Sequence, residues 1–398
     1  MATGQRVIYI AGAGIAGLTL ALSLAKRGFA AVVLEREAQP NPLGAGIQLS
    51  PNARRVLDRL GLDAALRAAS FSPEFIDLYP FASKAPLKSL QYGKVAERRY
   101  GAAYSVLHRA ELAGALLTAA RRSSNIEIVW AVRQVDLVRH ARGLSIGVEL
   151  MDRSAINARP YAYVGADGVG SRTRTELLGG KSARYSGFVA WRALAGEAQL
   201  AGLLPIDRVS VFWGRGFHAV TYPLPGRREI NVVLVTKVSE KRAFGEKQAS
   251  EPKIDSYYRG RSHVFGELLR VLRGKWTFWP ISTVEASKWH DDSVGIIGDA
   301  AHAMLPFAAQ GAAMAIEDGA LLAREMIDRD SPEEAFQSFA AHRRGRIDKV
   351  RRLARRNGAA FHLPWPMSLI RNRVIAAQSP DAHLAESDWL YRYDPLHE

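Results

Sequence analysis

The string that most narrows the fold is GAGIAG at Gly12 to Gly17, because of what stands on either side of it. An apolar run, VIYIA, ends at Ala11, and Leu18 to Arg27 continues with helical periodicity. A second apolar run, Ala31 to Leu34, ends on Glu35. Strand, GxGxxG, helix, strand and then an acid about 20 residues on is the pattern of a dinucleotide-binding βαβ unit. Gly12 allows the tight turn, Gly14 lets the backbone approach a pyrophosphate, and Gly17 lets the helix pack closely on the strand. Glu35 is placed to accept a hydrogen bond from a ribose hydroxyl. A glycine turn made for packing alone is the competing reading.

Two later strings have the same logic. GIIGDAAHAMLPFAAQGAAMAIEDG, Gly295 to Gly319, reads as a short strand, a Gly-Asp turn, a proline loop, a glycine and an Ala-rich helix from about Gln310 to Asp328. Helix N-termini favour anions, and Asp299 suits a sugar-like hydroxyl. Glu317 and Asp318, inside the helix, are internal acceptors or surface charges. YVGADGVGSRTR, Tyr163 to Arg174, runs a strand into Asp167 between glycines and opens a helix at Ser171, Arg172 and Arg174. Its arginines can meet phosphates; a plain Asp-Gly turn is the alternative.

Between these strings, Asn41 to Asn52 reads as a loop, with Ser50 as N-cap and Pro51 at the first position of an amphipathic helix continuing from Ala53 to Leu66. Phe71 to Tyr100 is mixed. Arg109 stands at the entrance of a helix starting near Ala110, as a surface or capping contact or as a phosphate or cofactor contact. Ile126 to Trp130, Val135 to Val138 and Leu144 to Leu150 read as an antiparallel excursion. From about Arg184 to Thr236 the period changes to strands, which suggests a second, antiparallel domain inserted into the first. In FHAVTYPL, His218, Val220 and Tyr222 share one face of a strand. They are either a core pair satisfied by backbone or a polar pair lining an apolar substrate cavity. Val238 to Asp255 reads as a mobile loop, Val264 to Leu272 as a short helix, and Lys275 to Ile281 as a returning strand whose Trp276 and Trp279 pack at a domain boundary. Pro332 to Asn357 is a long basic helix, read as a structural brace, and the aromatic tail packs on the body or on a partner chain.

Composition limits the partners. The chain has 398 residues, enough for two domains, and its formal charge of +15 reads first as a solvated surface, with attraction of anions such as nicotinamide nucleotides or aromatic carboxylates as the functional alternative. With no cysteine there is no disulfide, thiolate metal site or cysteine nucleophile. No zinc-ligand cluster, RNA-binding signature or repeat points to nucleic acid. No apolar run is long enough to span a bilayer and the N-terminus has no cleavable leader pattern, so a cytoplasmic protein is expected.

The three strings in this order resemble the single-component FAD-dependent aromatic hydroxylases of the para-hydroxybenzoate hydroxylase fold. Within them the chain is most similar to the salicylate hydroxylase and 3-hydroxybenzoate 6-hydroxylase branch. The resemblance covers most of the chain. It implies an α/β fold: a Rossmann-type FAD-binding domain of the glutathione reductase kind (residues 1–70, 101–183 and 282–330), an inserted mainly antiparallel β-sheet substrate domain (71–100 and 184–281) and a C-terminal helical segment (331–398). It implies FAD contacts from Gly12, Gly14, Ala16, Gly17, Glu35, Arg36, Gly46, Arg109, Asp167, Asp299, Pro306, Gln310, Gly311 and Ala312. His218 and Tyr222 match a His-x-x-x-Tyr pattern on the family's substrate strand, with His218 as base and Tyr222 as orienting group. Ala309 replaces the usual glycine before Gln310, and Ala303 stands where the branch has proline. The implied reaction is NAD(P)H- and dioxygen-dependent hydroxylation of a phenolic or N-heteroaromatic carboxylate through a C(4a)-hydroperoxyflavin. Oxidation of a larger polyketide, antibiotic or alkene substrate stays open, as does a non-catalytic flavin-binding sensor, and a homodimer is allowed for.

Overall fold

The computed structural model describes residues 6–40, 45–81, 83–140, 143–245, 251–252 and 264–397. Positions 41–44 of the expected Asn41 to Asn52 loop lie outside the described residues, as do 246–250 and 253–255 of the Val238 to Asp255 stretch. The described part of that second stretch holds a short helix, Glu240–Phe244.

Four short, almost wholly apolar strands make the centre of the first sheet. In order they are Val294–Ile296, Ala162–Gly165, Val7–Ala11 and Ala30–Leu34, all parallel. Strands without polar alternation need cover on both faces, which is the parallel-sheet environment. Ile126–Val129 adds a parallel edge, and His290–Asp291 an antiparallel one. The first helix, Ile15–Ala25, begins earlier than the periodicity suggested, so the glycine turn feeds its last residues into the helix. A Cβ on Gly17 would lie 2.0 Å from the Gly12 carbonyl oxygen, which is why this crossing needs glycine.

The second sheet has seven strands in the order Thr277–Thr283, Arg184–Gly196, Glu229–Lys237, Phe217–Leu224, Val209–Gly214, Phe75–Pro80 and Lys88–Gln91. Only the Val209–Gly214 and Phe75–Pro80 pair is parallel. Of the three strands read as an antiparallel excursion, Ile126–Val129 belongs instead to the parallel sheet; the excursion is Val132–His140 and Gly143–Leu150 with Ala155–Ala158, not anticipated from sequence, as its third strand. The helix expected over Ala53 to Leu66 is two helices, Pro51–Arg59 and Asp63–Ala69. Gly61, at φ +87°, takes the left-handed turn that ends the first. Ser50 stands at the N-cap and Pro51 at the first helical position, as expected, but the Ser50 hydroxyl makes no capping bond and meets Gln310 instead. Trp279 is exposed, not packed at a boundary.

The helix Gly311–Asp328 runs through the middle of the molecule, crossing the first helix where a Cβ on Gly319 would meet the Leu20 amide at 2.8 Å. Its Glu317 and Asp318 are fully buried. The long helix Pro332–Phe361 supplies their counter-charge. Arg343, also fully buried, donates to Glu317 and Asp318 at 2.7 Å each, and Arg346 grips both Glu317 oxygens. Asp318 also accepts the Gly298 amide at 2.8 Å and meets His302. The brace expected of the basic helix therefore acts through a specific buried ion cluster, and that cluster fixes the Gly298-Asp299 turn.

Candidate functional site

Two cavities meet along one groove, sharing Gly14, Ala166 and Gly168. The first, of about 350 Å³, lies at the C-terminal ends of the parallel strands and is lined by Gly12, Gly14, Glu35, Arg36, Arg133 and Asp167, among others. That is where strand ends and a helix N-terminus leave backbone amides for an anionic ligand. Glu35 is held by the Ala13 amide at 2.8 Å and the Glu37 amide at 3.0 Å. One oxygen of Asp167 accepts from the Thr173 amide and hydroxyl at 3.0 Å each. Its other oxygen is buried without a partner.

The second cavity, of about 370 Å³, is walled by the second sheet on one side and by the late Gly-Asp stretch on the other. Ala16, Gly46, Arg109, Asp299, Pro306, Gly311 and Ala312 line it, as do His218, Val220 and Tyr222. The expected shared face of the His218 strand is thus the face turned to the cavity. The backbone of Gly46 approaches so closely that a Cβ there would lie 2.6 Å from the Tyr222 hydroxyl, and its amide donates to Asn231 at 2.8 Å.

Two expected residues stand elsewhere. Gly17 lines neither cavity and serves the close packing of the first helix on the Gly12 turn and Ile10. The Gln310 side chain is turned inward, where it bonds Ser50 at 3.1 Å, so only its backbone belongs to the loop over the groove. The arginines read as phosphate contacts are also committed. Arg174 is buried and donates to the Val169, Lys181 and Ala300 carbonyls, and Arg172 pairs with Glu176 at 2.8 Å. Arg174 lies in a single π-helical turn, Thr173–Leu177, and Arg172 stands just before it.

Sequence reasoning missed Arg192. It sits mid-strand in FVAWRALA and lines the second cavity beside His218 and Tyr222. Its Nε is buried without a partner. A lone arginine inside an otherwise apolar strand was the available signal, since a charge is kept there only against a partner. The cations lining this cavity are Arg109 and Arg192, and the single carboxylate is Asp299. Burial lowers the affinity of Arg192 for its proton, with the Tyr222 phenol opposing and Arg109 adding to that fall. Burial raises the Tyr222 phenol. Burial, with His362 adding, draws His218 down to about 3, so its ring is neutral throughout the physiological range.

The groove fits a flavin dinucleotide by two observations. A Cβ placed on Gly14 or Gly311 meets no protein atom within 4 Å, so both glycines face open space instead of packing. The unpartnered oxygen of Asp167 is a buried acceptor waiting for a donor. Gly14→Val is accordingly expected to leave the apoprotein melting curve unchanged and to abolish FAD retention on gel filtration. A comparable loss of folding would show that Gly14 is needed for packing. Ala309, on the loop lining the cavity, has φ +51°. A left-handed residue with a Cβ costs about 1–2 kcal/mol, so Ala309→Gly should raise apoprotein stability by about 1 kcal/mol in denaturant titration.

Comparison with known proteins agrees with this geometry. Residues 5–353 match the family described as FAD binding domain. The chain is 28% identical over 389 residues to 3-hydroxybenzoate 6-hydroxylase of Polaromonas naphthalenivorans, covering 97% of this chain and 96% of that one. It is 32% identical over 386 residues to 3-amino-4-hydroxybenzoate 2-monooxygenase of Streptomyces cremeus, covering 96% and 94%. Klebsiella pneumoniae HpxO, solved with FAD and uric acid, superposes with a TM-score of 0.83 at 21% identity, covering 99% of this chain and 98% of that one.

Proposed function

The chain belongs to the FAD binding domain family and is a flavin-dependent monooxygenase, and from that premise we propose that it hydroxylates a small phenolic or N-heteroaromatic carboxylate. The observation that supports this reading is Arg192 beside His218 and Tyr222 in one cavity, with its Nε lacking a protein partner. A desolvated guanidinium with a free N–H is matched by a carboxylate, which accepts in the same plane. Two of the relatives are named for aromatic carboxylates of this size.

FAD would be held along the whole groove. Gly12, Gly14, Ala16 and the first helix would face its pyrophosphate, Glu35 and Arg36 its adenosine end, and Arg109, Asp167, Asp299 and Gly46 its linker. Pro306, Gly311, Ala312 and the Gln310 backbone would pass its ring. When bound and reduced by NADH or NADPH, FAD supplies the activated oxygen taken from dioxygen. Residues 1–70, 101–183 and 282–330 carry this cofactor work, 71–100 and 184–281 cover the substrate, and 331–398 braces the back. Reaction in the cytoplasm is part of the same reading; no helix of the described residues is long and apolar enough to cross a membrane.

The chain's own chemistry is placement and one proton. Arg192 fixes the carboxylate and Tyr222 orients the ring. His218 takes the phenolic proton, because a phenol of pKa about 10 is mostly un-ionised at neutral pH and the phenolate ring is the better nucleophile. The apolar walls exclude water from the reacting face.

The test is a panel of hydroxybenzoates and hydroxynicotinates, with the same phenols lacking the carboxyl group. NADH and NADPH consumption are followed together with product mass. Carboxylates should stimulate turnover and yield a product heavier by one oxygen. Arg192→Leu should raise KM for them by about 10- to 100-fold, the loss of roughly 1.5–3 kcal/mol expected for a hydrogen bond to a charged group, with kcat much less changed. Equal kcat/KM for phenols without the carboxyl group would overturn the reading.

A further inference from the structure

His218 is not alone in its wall. His362, the residue that follows the long C-terminal helix, sets its Nε2 at 3.0 Å from Nδ1 of His218. The rings are tilted by 32° with centroids 5.2 Å apart. Phe307 packs edge-on to both, at 5.1 Å from His218 and 5.5 Å from His362. Phe361 and Phe188 close the remaining sides. The contact is clamped: Asn357 donates to the Phe307 carbonyl at 3.1 Å, and a Cβ on Gly358 would strike the Phe307 ring at 2.3 Å. His218 is buried, whereas His362 is only half-buried. Position 362 also lies beyond residues 5–353, where the family match ends.

We propose that His218 and His362 form a two-histidine relay that carries the phenolic proton of the bound substrate out of the cavity to solvent. The inference rests on the phenolic reading of the substrate. In the tautomer from which the relay starts, the proton between the two rings sits on Nδ1 of His218, leaving Nε2 of His218 bare toward the cavity. On ionisation the phenol O–H bond breaks and an N–H bond forms at Nε2 of His218. The Nδ1 proton of His218 passes to Nε2 of His362, and the Nδ1 proton of His362 passes to water. No atom is oxidised or reduced, and the net change is a phenolate in the cavity and one proton in solvent. His362 is a positioning and relay residue, since it touches His218 and not the substrate.

An outlet is needed on physical grounds. Burial draws His218 down to about 3, with His362 adding to the fall, and draws His362 down to about 4, with Lys237 adding. A base this weak cannot store a proton taken from a phenol; it can only hand it on. The titratable and charged groups around the pair are Arg192, Arg109, Asp299 and Tyr222 at the cavity and Lys237 beside His362. Arg371, which donates to the Ala360 and Phe361 carbonyls, lies at the helix end. All but the Asp299 carboxylate and the Tyr222 phenol are cations, and no carboxylate bonds either ring among the described residues, so neither imidazole is held as an imidazolium.

The experiment uses the FAD-loaded enzyme and a hydroxybenzoate that the wild type hydroxylates. Stopped-flow mixing with a pH indicator dye reads proton release, and near-ultraviolet absorbance reads phenolate formation. His362→Gln keeps an acceptor for the His218 N–H but cannot relay. It should keep FAD and substrate affinity within about twofold, and release the proton about tenfold or more slowly. His362→Ala should be slowed likewise and recover with millimolar imidazole, a rescue that a packing role would not give. Proton release at the wild-type rate in both variants overturns the relay, as does slow release in His362→Ala that imidazole leaves unchanged. If the wild type turns over only compounds without a phenolic or equivalent ring hydroxyl, the substrate reading fails with it. Wild-type turnover of phenols with unchanged His362 variants sinks the relay alone.

Discussion

Arg343→Leu will cost the protein about 3–5 kcal/mol, the penalty of leaving buried charge uncompensated. Against a total stability of about 5–15 kcal/mol, that is enough to give largely insoluble protein or a melting transition lowered by many degrees. Arg343, Glu317 and Asp318 are all fully buried, and each carboxylate takes a 2.7 Å bond from the guanidinium. Arg346 still holds Glu317 after the change, so the larger loss falls at Asp318, left with His302 and the Gly298 amide. Burial pushes the Asp318 carboxyl up, but His302 and Arg343 together outweigh it and hold the group at about 2. An acid depressed in the folded state stabilises above its unfolded value, near 4. That contribution is lost as pH falls from about 4 to about 2. In Arg343→Leu the acid-induced loss from this group should be smaller and end at higher pH, because Asp318 has lost one of the partners that depress it. Urea titrations of both proteins across that range check the result. Adding Asp318→Asn to Arg343→Leu should recover part of the stability; no recovery would place the cost in lost packing.

The cluster matters beyond stability because it is tied to the turn that carries Asp299. Gly298 adopts φ +62°, and its amide is held by Asp318 from twenty residues further along the chain. Arg343 holds Asp318 in turn. The long basic helix thus reaches the cofactor groove through two side chains, and its far end reaches the substrate wall through His362. An apparently solvated helix with a narrow apolar face is the rear support of both halves of the site.

How much of this was legible follows from how local each signal is. The glycine turn, Glu35, Asp167 and Asp299 could be placed because strand, turn and helix lie within a short run, and the backbone conformation itself demands the residue types. The shared face of His218, Val220 and Tyr222 follows from a period of two. Arg192 lies in a strand whose alternation is hidden, because both faces are buried and only the chemistry of the side chain marks the inward position. The inward turn of the Gln310 side chain was not legible because the motif fixes its backbone, while the rotamer is decided by Ser50, some 260 residues away in sequence. The break at Gly61 was masked by apolar residues that keep helical spacing across it. Nothing local to His362 or Arg343 announces their partners; both contacts depend on how the final long helix docks.

His218→Asn should lower the hydroxylation rate at neutral pH on the order of 10²- to 10⁴-fold, the range for loss of a positioned base. FAD content should be unchanged, since none of the groove residues facing the dinucleotide bonds this ring. The pH profiles distinguish a base from a packing residue. In the wild type His218 lies at about 3, so its protonation cannot limit activity between pH 5 and 8, and no step should appear in the rate near the ordinary imidazole value. In the variant the bound phenol must ionise unaided. Its rate should climb about tenfold per pH unit toward the phenol's own value near 10. Substrates carrying electron-withdrawing groups, whose hydroxyls ionise more readily, should lose less. Tyr222→Phe should show the wild-type pH profile with a smaller loss, because burial keeps its phenol protonated and its part is to orient. Rates from product formation, with peroxide release measured separately, keep uncoupled oxidation of NAD(P)H from imitating turnover. A His218→Asn enzyme that is uniformly slow, with no dependence on pH or on the acidity of the substrate hydroxyl, would show that the imidazole shapes the cavity and leaves the proton to another group.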